Sequence, residues 1–219
     1  MNTIETLSQP QGVSMADEWF QFATADHFWM QWRHCLLVRA LRRAGGQIRT
    51  TLEIGCGHGV AREMLERDFD FPVDGCDLNR TALEMARPGK GHLFVYNILD
   101  QEPSLLGRYD AVFLLDVIEH IDDDVSFLGG LRKLLHSCGV ETQAVQSWGM
   151  LMVPLLLARK ALLGGTKRAN AIQTGFVPPN AIARRLLHGM KNVEIALPFK
   201  MPFGTSILAW GRLHPQRDV

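Results

Sequence analysis

Three glycines at alternate positions, Gly55, Gly57 and Gly59, follow a short apolar segment that also contains the acid Glu53. Glycine lets the backbone adopt a positive φ and approach a ligand closely. A dinucleotide-binding loop has the spacing G-x-G-x-x-G, whereas this loop has the spacing G-x-G-x-G. The carboxylate of Glu53 would repel a pyrophosphate but suits a cation. The pattern therefore favours a ligand other than a dinucleotide.

Polar side chains recur at the predicted ends of the next strands. Asp77 ends the second strand, 22 residues after Gly55, and an acid there can accept hydrogen bonds from both hydroxyls of a ribose. Asn97 follows the third strand, and the segment DVIEH at 116–120 ends the fourth. Because ligands of open parallel sheets bind at the carboxyl ends of the strands, the sequence predicts a single ligand site at this edge.

Strands and helices alternate along the middle of the chain. The hydrophobic patterns predict strands at 50–54, 71–77, 92–96 and 109–117, and helices at 58–67, 79–87 and 122–136. The acids Asp122 to Asp124 would cap the last of these helices. This alternation predicts an α/β fold with a mostly parallel sheet and helices on both faces.

Two segments precede this alternation. Residues 1–15 are polar and contain Pro10 and Gly12, so we expect a loose tail. Residues 16–44 have aromatic and aliphatic side chains at helical spacing, which predicts one or two amphipathic helices. Glycines at 45 and 46 should end them.

The composition is that of an ordinary soluble protein. Hydrophobic residues make up 47% and charged residues 21% of the 219, and the formal net charge is zero. A nucleic-acid partner would require a basic face, so none is expected. There is no signal-peptide pattern, and no apolar run reaches the roughly 20 residues of a membrane span. These features predict a cytoplasmic protein with one domain, residues 1–219.

The four cysteines lack the paired spacing of a zinc site or of a disulfide framework. We expect them to be reduced thiols and expect no metal ligand set. They are Cys35, Cys56, Cys76 and Cys138.

Taken together, the motifs resemble those of the class I S-adenosylmethionine-dependent methyltransferases. The segment from Glu53 to Gly59 resembles the first motif of that family, and Asp77 resembles its ribose acid. LLDVIEH at 114–120 resembles the fourth motif of a bacterial subgroup that modifies small molecules and sugar-linked lipids. HFW at 27–29, followed by Arg33, resembles the helix that covers the cofactor in that subgroup. PFGTSILAWGRL at 202–213 resembles its last strand.

This resemblance implies a Rossmann-like three-layer sandwich that binds S-adenosyl-L-methionine. It divides the chain into a tail and helical cover (1–46), a cofactor-binding core (47–137) and C-terminal strands and helices (138–219). The residues assigned to the cofactor lie in the glycine loop and at the strand ends: Glu53, Gly55, Cys56, Gly57, Asp77, Leu78, Asn97, Ile98 and Asp116. The predicted catalytic residues are Asp116 and His120, which could accept the proton of an acceptor hydroxyl.

Several of these residues also have plain structural interpretations. Asp77 can cap the helix that begins near Asn79, and Asn97 can be a turn residue. His58, inside the glycine loop, can be a spacer that faces solvent. Trp29 and Arg33 can serve helix packing and surface charge rather than a cofactor cover.

The family pattern breaks after the fourth motif. Gly129 and Gly130 lead directly into residues 131–149, which look like a later helix and the sixth strand, with a turn at Cys138 and Gly139. On this interpretation about 40 residues around the fifth strand are missing, estimated from the usual length of a βαβ unit. The alternative is that GMLMVP, at 149–154, is itself the fifth strand.

Two functions remain open at this stage. The first is methyl transfer from S-adenosyl-L-methionine to a small-molecule, lipid-linked or sugar-linked acceptor. The second is a catalytically impaired relative with a binding or regulatory role, because of the apparent deletion. A nicotinamide-dependent oxidoreductase is disfavoured by the glycine spacing. The apolar stretch at 150–168 with its basic end can rest on a membrane surface as a weak peripheral contact, or pack as a buried helix.

Overall fold

The computed structural model describes most of the chain. The described residues are 3–12, 20, 22–45, 47–118, 121–123, 125–128, 130, 140–163, 178, 180–197 and 201–213. The chain divides into two compact units. The first comprises residues 1–25, 45–141 and 213–219, and the second comprises residues 26–44 and 142–212.

A five-stranded parallel sheet forms the centre of the first unit. Its strands in chain order are β1 (Ile4–Thr6), β2 (Thr51–Ile54), β3 (Val73–Asp77), β4 (Leu93–Val95) and β5 (Ala111–Leu114). Across the sheet their order is β1-β4-β3-β2-β5, and every neighbouring pair is parallel. The predicted α/β fold with a mostly parallel sheet is therefore confirmed.

Five α-helices lie among the described residues. They are α1 (Phe28–Ala44), α2 (Val60–Asp68), α3 (Arg80–Met85), α4 (Val153–Leu163) and α5 (Ala181–Ala196). The helix predicted at 122–136 is described only in part, since residues 125–128 and 130 are helical and 131–136 lie outside the described residues. The Ser126 N–H donates to Asp123 Oδ1 at 3.0 Å, so an acid of the 122–124 run caps this segment as predicted.

The first strand was not expected. The prediction of a loose tail over residues 1–15 is wrong at Ile4–Thr6, which pair in parallel with Leu93–Val95. An open edge of β4 offers unpaired backbone groups to any extended segment. The Ile4 side chain also packs against a buried cluster that includes Leu93. Long-range pairing, rather than the polar local sequence, decides the structure here.

The core of the first unit lies around the central strands. Every residue of β2 is buried, and the same is true of the first four residues of β3. Strands of a parallel sheet are covered on both faces and therefore read as continuous apolar runs. The principal buried cluster contains Leu52, Ile54, Cys76, Phe94, Tyr96, Ile98, Leu105, Tyr109 and Phe127.

A buried ion pair fixes α2 against the amino end of β3. The Arg62 guanidinium, 2% exposed, donates to the carbonyl oxygens of Val73 and Gly91 at 2.8 and 2.7 Å. Glu66 Oε1 accepts the N–H groups of the same two residues, each at 2.9 Å. Since buried polar groups must be paired to be tolerated, this network fixes where the helix sits on the sheet.

The second unit contains α1, α4, α5 and a two-stranded sheet. The strands of that sheet are β6 (Val140–Trp148) and β7 (Ser206–Leu213). Arg39 of α1 donates to the Ile195 carbonyl of α5 at 2.6 Å. The predicted last strand at 202–213 is confirmed as β7, and a strand is confirmed within the 131–149 segment as β6.

The alternative of a strand at 149–154 is wrong. Met150–Met152 form a single 3₁₀ turn and α4 begins at Val153. Gly149, at φ 79°, ends the strand before it, and the Glu194 carboxylate accepts the N–H groups of Gly149 and Leu151 at 2.6 and 3.2 Å. These two bonds turn the chain out of an extended conformation. The deletion before residue 131 stays a prediction.

None of the helices in the described part of the chain is both long enough and apolar enough to cross a bilayer.

Candidate functional site

The sheet of the first unit reverses its strand order between β2 and β5. Ligands of open α/β sheets bind in the crevice at the carboxyl ends of the strands beside such a reversal. Gly55 directly follows β2, and Val117 lies three residues after β5. A Cβ atom at Gly55 would lie 2.5 Å from Val117 Cγ2, and Gly55 has φ 69°. Glycine is therefore needed here both for its backbone conformation and for the close approach of the two loops.

The glycine loop is held open by its backbone. Gly55, Gly57 and Gly59 all have positive φ, at 69°, 53° and 76°. The N–H groups of Gly55 and Cys56 both donate to the Cys76 carbonyl, at 2.8 and 3.0 Å. These bonds attach the loop after β2 to the end of β3, so the loop has a defined shape before any ligand binds.

Asp77, the last residue of β3, connects the same two strand ends through its side chain. Its Oδ2 accepts the Gly57 N–H at 2.8 Å, and its Oδ1 accepts the Asn79 N–H at 2.8 Å. The cap of α3 is Asn79, whose Oδ1 accepts the Ala82 N–H at 3.2 Å, so Asp77 is not the helix cap. A carboxylate has about four lone-pair positions, and three are taken when the Leu78 N–H is counted, so Asp77 retains about one for a ligand hydroxyl.

The ionisation of Asp77 reflects this setting. Burial raises the pKa of its carboxyl above the ordinary value, while hydrogen bonds from the N–H groups of Asn79, Gly57 and Leu78 lower it in part. A buried carboxylate is stabilised further by each additional donor. A ligand hydroxyl that donates to this group would therefore bind favourably.

Glu53 and Cys56 are both buried. Glu53 is 3% exposed and Cys56 is 6% exposed. Burial raises the pKa of the Cys56 thiol, and the charges of Glu53 and Asp77 raise it further. A Cβ atom at Gly75 would lie 2.8 Å from Cys56 Sγ, so the thiol packs against the strand next to it. Cys56 therefore stays a protonated interior thiol, and its contribution to a ligand would come from its backbone.

The residues after β3 and β4 take largely structural roles in the described geometry. The Leu78 carbonyl accepts the Gln11 N–H at 2.9 Å. Asn97 donates its N–H to Ser8 Oγ at 2.9 Å and accepts the Leu99 N–H at its Oδ1 at 3.1 Å. The Ile98 side chain is 2% exposed and belongs to the core. Contact of these three residues with a cofactor stays a prediction.

Asp116 stands at the carboxyl end of β5 in an unusual backbone conformation. Its φ is 58°, a value that non-glycine residues seldom adopt although Asp is among those that tolerate it. The residue is exposed. Backbone conformations of this kind cluster at functional sites. The other predicted catalytic residue, His120, lies outside the described residues.

His58 is half-buried and packs against the chain ahead of α1, so it is more than a spacer exposed to solvent. Its Nε2 lies 2.7 Å from the Ala23 carbonyl oxygen, and its ring centroid lies 5.0 Å from that of Phe20. Because a carbonyl can only accept, Nε2 carries the proton. Burial lowers the pKa of His58, while the Ala23 carbonyl and the charge of Glu63 raise it in part.

Phe20 and Ala23 therefore lie on the glycine loop, a contact that the sequence analysis missed. Phe20 is 8% exposed, and a Cβ atom at Gly57 would lie 3.1 Å from Phe20 Cε1. The sequence offers two hints of this contact, the aromatic side chain of Phe20 and the position of His58 between two glycines. Neither hint specifies the partner residue.

The segment predicted to cover the cofactor, HFW at 27–29 with Arg33, packs within the second unit. The Trp29 ring lies 4.4 Å from the ring of Trp148, and the Arg33 guanidinium contacts Met30 Sδ at 3.2 Å. These contacts support the packing interpretation, and a covering role for this segment stays a prediction.

Comparisons with known proteins agree with this geometry. The sequence model of a family described as "Methyltransferase domain" matches residues 52–140. Two curated relatives are the ubiquinone biosynthesis O-methyltransferases of Yersinia enterocolitica, 25% identical over 195 residues, and of Yersinia pestis, 25% identical over 198 residues. In each case the match covers 81% of this chain and 79% of the relative.

A solved structure from Methanococcus maripaludis has a similar fold along nearly the whole chain. It is described as a candidate S-adenosyl-L-methionine-dependent methyltransferase, with a TM-score of 0.58 and 14% identity. The similarity covers 97% of this chain and 100% of that one.

Residues 52–140 thus match the methyltransferase domain family, and the chain is similar in sequence to ubiquinone biosynthesis O-methyltransferases and in fold to a candidate S-adenosyl-L-methionine-dependent methyltransferase. The family implies S-adenosyl-L-methionine as cofactor, and the residues present fit it. The three glycines at positive φ leave room for close backbone approach, and Asp77 offers an acceptor position for a ribose hydroxyl beside them.

Proposed function

We propose that the first unit binds S-adenosyl-L-methionine at the carboxyl ends of β2 and β3 and transfers its methyl group to an oxygen atom of a small-molecule or lipid-linked acceptor. The observation that carries this proposal is the 2.8 Å hydrogen bond from the Gly57 N–H to Asp77 Oδ2. This bond joins the half-buried Asp77 carboxylate to the glycine loop at the reversal point of the sheet, which supports the proposal.

The site residues divide between the two ends of the cofactor. Gly55 and Gly57, with the electropositive N-terminus of α2, suit the carboxylate of the methionine end. Glu53 offsets its cationic groups. Asp77 accepts from a ribose hydroxyl, and the segment from Asn97 to Ile98 lies at the strand end assigned to the adenine.

The bound cofactor supplies a methyl group already activated on a cationic sulfur. The protein therefore needs little acid catalysis, and its residues act mainly by positioning the acceptor and excluding water. When the acceptor is a hydroxyl, a base must receive its proton. We assign that role to Asp116, with His120 as the second predicted base.

An oxygen acceptor is supported by the curated relatives, which are named O-methyltransferases of ubiquinone biosynthesis. Their identity of 25% supports the class of reaction rather than the same substrate. A phenolic hydroxyl on an apolar molecule is the acceptor class that we would test first.

A lipid-linked acceptor is supported by the surface of α4. Leu155, Leu156 and Leu157 are 42%, 38% and 62% exposed, which supports the surface interpretation of this part of the stretch over the buried one. Arg159 and Lys160 follow them. Exposed leucines beside basic residues are typical of helices that lie in a membrane interface.

Vesicle co-sedimentation tests the membrane contact. Vesicles with anionic lipids should retain the native protein, and the double variant Leu155→Ser, Leu157→Ser should release it. Ile182→Ser on α5 is the matched control, because Ile182 is 78% exposed but belongs to another helix. Equal retention of all three proteins would remove the membrane contact.

A methyl-transfer assay tests the reaction itself. The protein is incubated with methyl-labelled S-adenosyl-L-methionine and a panel of phenols with and without apolar tails. The expected result is label in the acceptor with the native protein, far less with Asp116→Asn, and none with Asp77→Ala.

The alternative is a catalytically impaired relative with a binding or regulatory role. It is favoured by one observation, that within the described residues β5 pairs in the sheet only with β2. Cofactor binding without label in any acceptor would favour this alternative, whereas label in an acceptor would exclude it.

A further inference from the structure

The segment that contains Phe20 and Ala23 contacts the glycine loop at His58. The His58 Nε2–H donates to the Ala23 carbonyl at 2.7 Å, and the His58 and Phe20 rings are tilted at 55° with centroids 5.0 Å apart. All three residues belong to the first unit. The attachment therefore lies within the same compact unit as the candidate cofactor site.

The same contact reaches the residue that holds Asp77. Phe20 lies against Gly57, and the Gly57 N–H donates to Asp77 Oδ2. The segment thus covers the part of the loop that positions the ribose acid. Its removal would expose Gly57 and the Asp77 hydrogen bond to water, which weakens electrostatic interactions at the site.

We propose that His58 is a positioning residue that fastens Phe20 and Ala23 over the glycine loop, so that bound cofactor is shielded from water and released slowly. The proposal rests on the cofactor site proposed above. It assigns to one loop side chain a role that the glycine motif does not require.

The strength of the attachment suits a reversible cover. One hydrogen bond of this kind shifts an equilibrium about 2- to 12-fold, and an aromatic pair shifts it by a similar factor. A cover held by two such contacts can open for cofactor exchange and close again without unfolding of the sheet.

Three substitutions separate the hydrogen bond from the filling of space. His58→Leu removes the N–H and retains a side chain of similar bulk. His58→Gln retains an N–H donor at the position of Nε2. Phe20→Leu removes the ring pair and leaves the hydrogen bond. Circular dichroism and thermal melting first establish that each variant is folded.

The measurements are the dissociation constant and dissociation rate of S-adenosylhomocysteine, together with hydrogen exchange of a peptide that spans residues 20–25. In the native protein the ligand should slow exchange in this peptide. His58→Leu should raise the dissociation constant about 2- to 12-fold, chiefly through faster dissociation, and should abolish the ligand-induced slowing. His58→Gln should keep the dissociation constant within about 2-fold of the native value. It should also retain the slowing of exchange that the ligand causes.

The outcomes distinguish the cover from the cofactor site itself. A folded native protein that does not bind S-adenosylhomocysteine would overturn both proposals. Native binding with unchanged affinity and unchanged exchange in His58→Leu would overturn the cover alone. Equal losses in His58→Leu and His58→Gln would also overturn it, since bulk or ring shape, rather than the N–H, would then be responsible. If His58→Leu does not fold, the test is made with Phe20→Leu. The ligand should then no longer slow exchange in the peptide. If the ligand still slows exchange in Phe20→Leu, the proposal is overturned.

Discussion

The backbone N–H of Gly57 donates to Asp77 Oδ2 at 2.8 Å, and this bond joins the loop after β2 to the last residue of β3. The two strands are paired in register, with Ile54 opposite Cys76. One ligand can therefore bind across two strand ends that are already fixed relative to each other. A site organised in this way loses little conformational entropy when its ligand binds.

Substitution of Asp77 should weaken cofactor binding strongly. Asp77→Asn retains the shape but loses the charge and one acceptor, and hydrogen bonds to charged groups are worth about 1.5–3 kcal/mol. The dissociation constant of S-adenosylhomocysteine, measured by titration calorimetry, should rise about 10- to 150-fold. Asp100→Asn is the control, because Asp100 is an exposed acid at the same edge of the sheet. Equal effects of the two substitutions would remove Asp77 from the site.

Gly55→Ala should destabilise the protein through two separable effects. A left-handed alanine costs about 1–2 kcal/mol, and its Cβ would lie 2.5 Å from Val117 Cγ2. Gly107→Ala is the control for the first effect alone, since Gly107 has φ 61° and nothing within 4 Å of an added Cβ. Urea unfolding should show the larger loss for Gly55→Ala.

The steric effect of Gly55→Ala, the contact of its Cβ with Val117, can be isolated with Val117→Ala. In the Val117→Ala background Gly55→Ala should destabilise less, with a coupling of about 0.5–3 kcal/mol. Simple additivity of the two changes would show that the loops after β2 and β5 do not meet at this point.

Cofactor affinity should fall at mildly acidic pH. Burial lowers the pKa of His58 in the covered loop, so protonation favours the detached state, in which the pKa is about 6.5. Cofactor affinity should stay constant above about pH 6.5, the pKa of the detached His58. It should fall as the pH drops from there toward the lower pKa that His58 has in the covered state. Glu63 and Asp77 also carry titratable charges in this region, and both remain in His58→Gln.

The comparison is therefore between native protein and His58→Gln, titrated with S-adenosylhomocysteine between about pH 5.5 and pH 8, a range centred near the ordinary histidine pKa. The native curve should be steeper on its acid side. Parallel curves would mean that His58 does not contribute to the pH dependence.

Loss of the buried ion pair between Arg62 and Glu66, at the amino end of β3, should lower the stability of the protein rather than its cofactor affinity. Glu66→Gln leaves the Arg62 guanidinium, 2% exposed, without its charge partner, which costs about 3–5 kcal/mol. Asp68→Asn is the control, because Arg67 and Asp68 form an exposed pair at 3.1 Å that should be worth less than about 1 kcal/mol. Urea unfolding measures both, and a loss below about 1 kcal/mol for Glu66→Gln would contradict the network.

The sequence predicted the centre of the fold, and its site residues stay predictions. The strands near 50–54 and 71–77 are short segments with apolar residues and one internal acid each, Glu53 and Asp74, followed by a glycine or a helix start, so local pattern and final structure agree. Asp77 was identified because a ribose acid occupies a fixed place at the end of the second strand. The short β1 was missed because only its pairing with β4 makes it a strand.

The contacts of His58 could not be predicted for a similar reason. Its partners, Phe20 and Ala23, are separated from it by more than 30 residues, and no local pattern specifies such a pair. The same holds for residues 149–154, where Glu194, more than 40 residues away, holds the turn. Distant side chains decide these places, whereas periodicity and spacing describe only neighbours in the chain.

Thermal melting in the presence of S-adenosyl-L-methionine, S-adenosylhomocysteine and NAD tests the central claim most directly. A ligand at 100 times its dissociation constant adds about 2.7 kcal/mol to the free energy of unfolding, which raises the melting temperature of a protein this size by roughly 5–10 °C. We predict that rise with the two adenosyl ligands and none with NAD. A folded sample whose melting temperature does not change with either adenosyl ligand, or rises equally with NAD, would contradict a cofactor site built on Gly57 and Asp77.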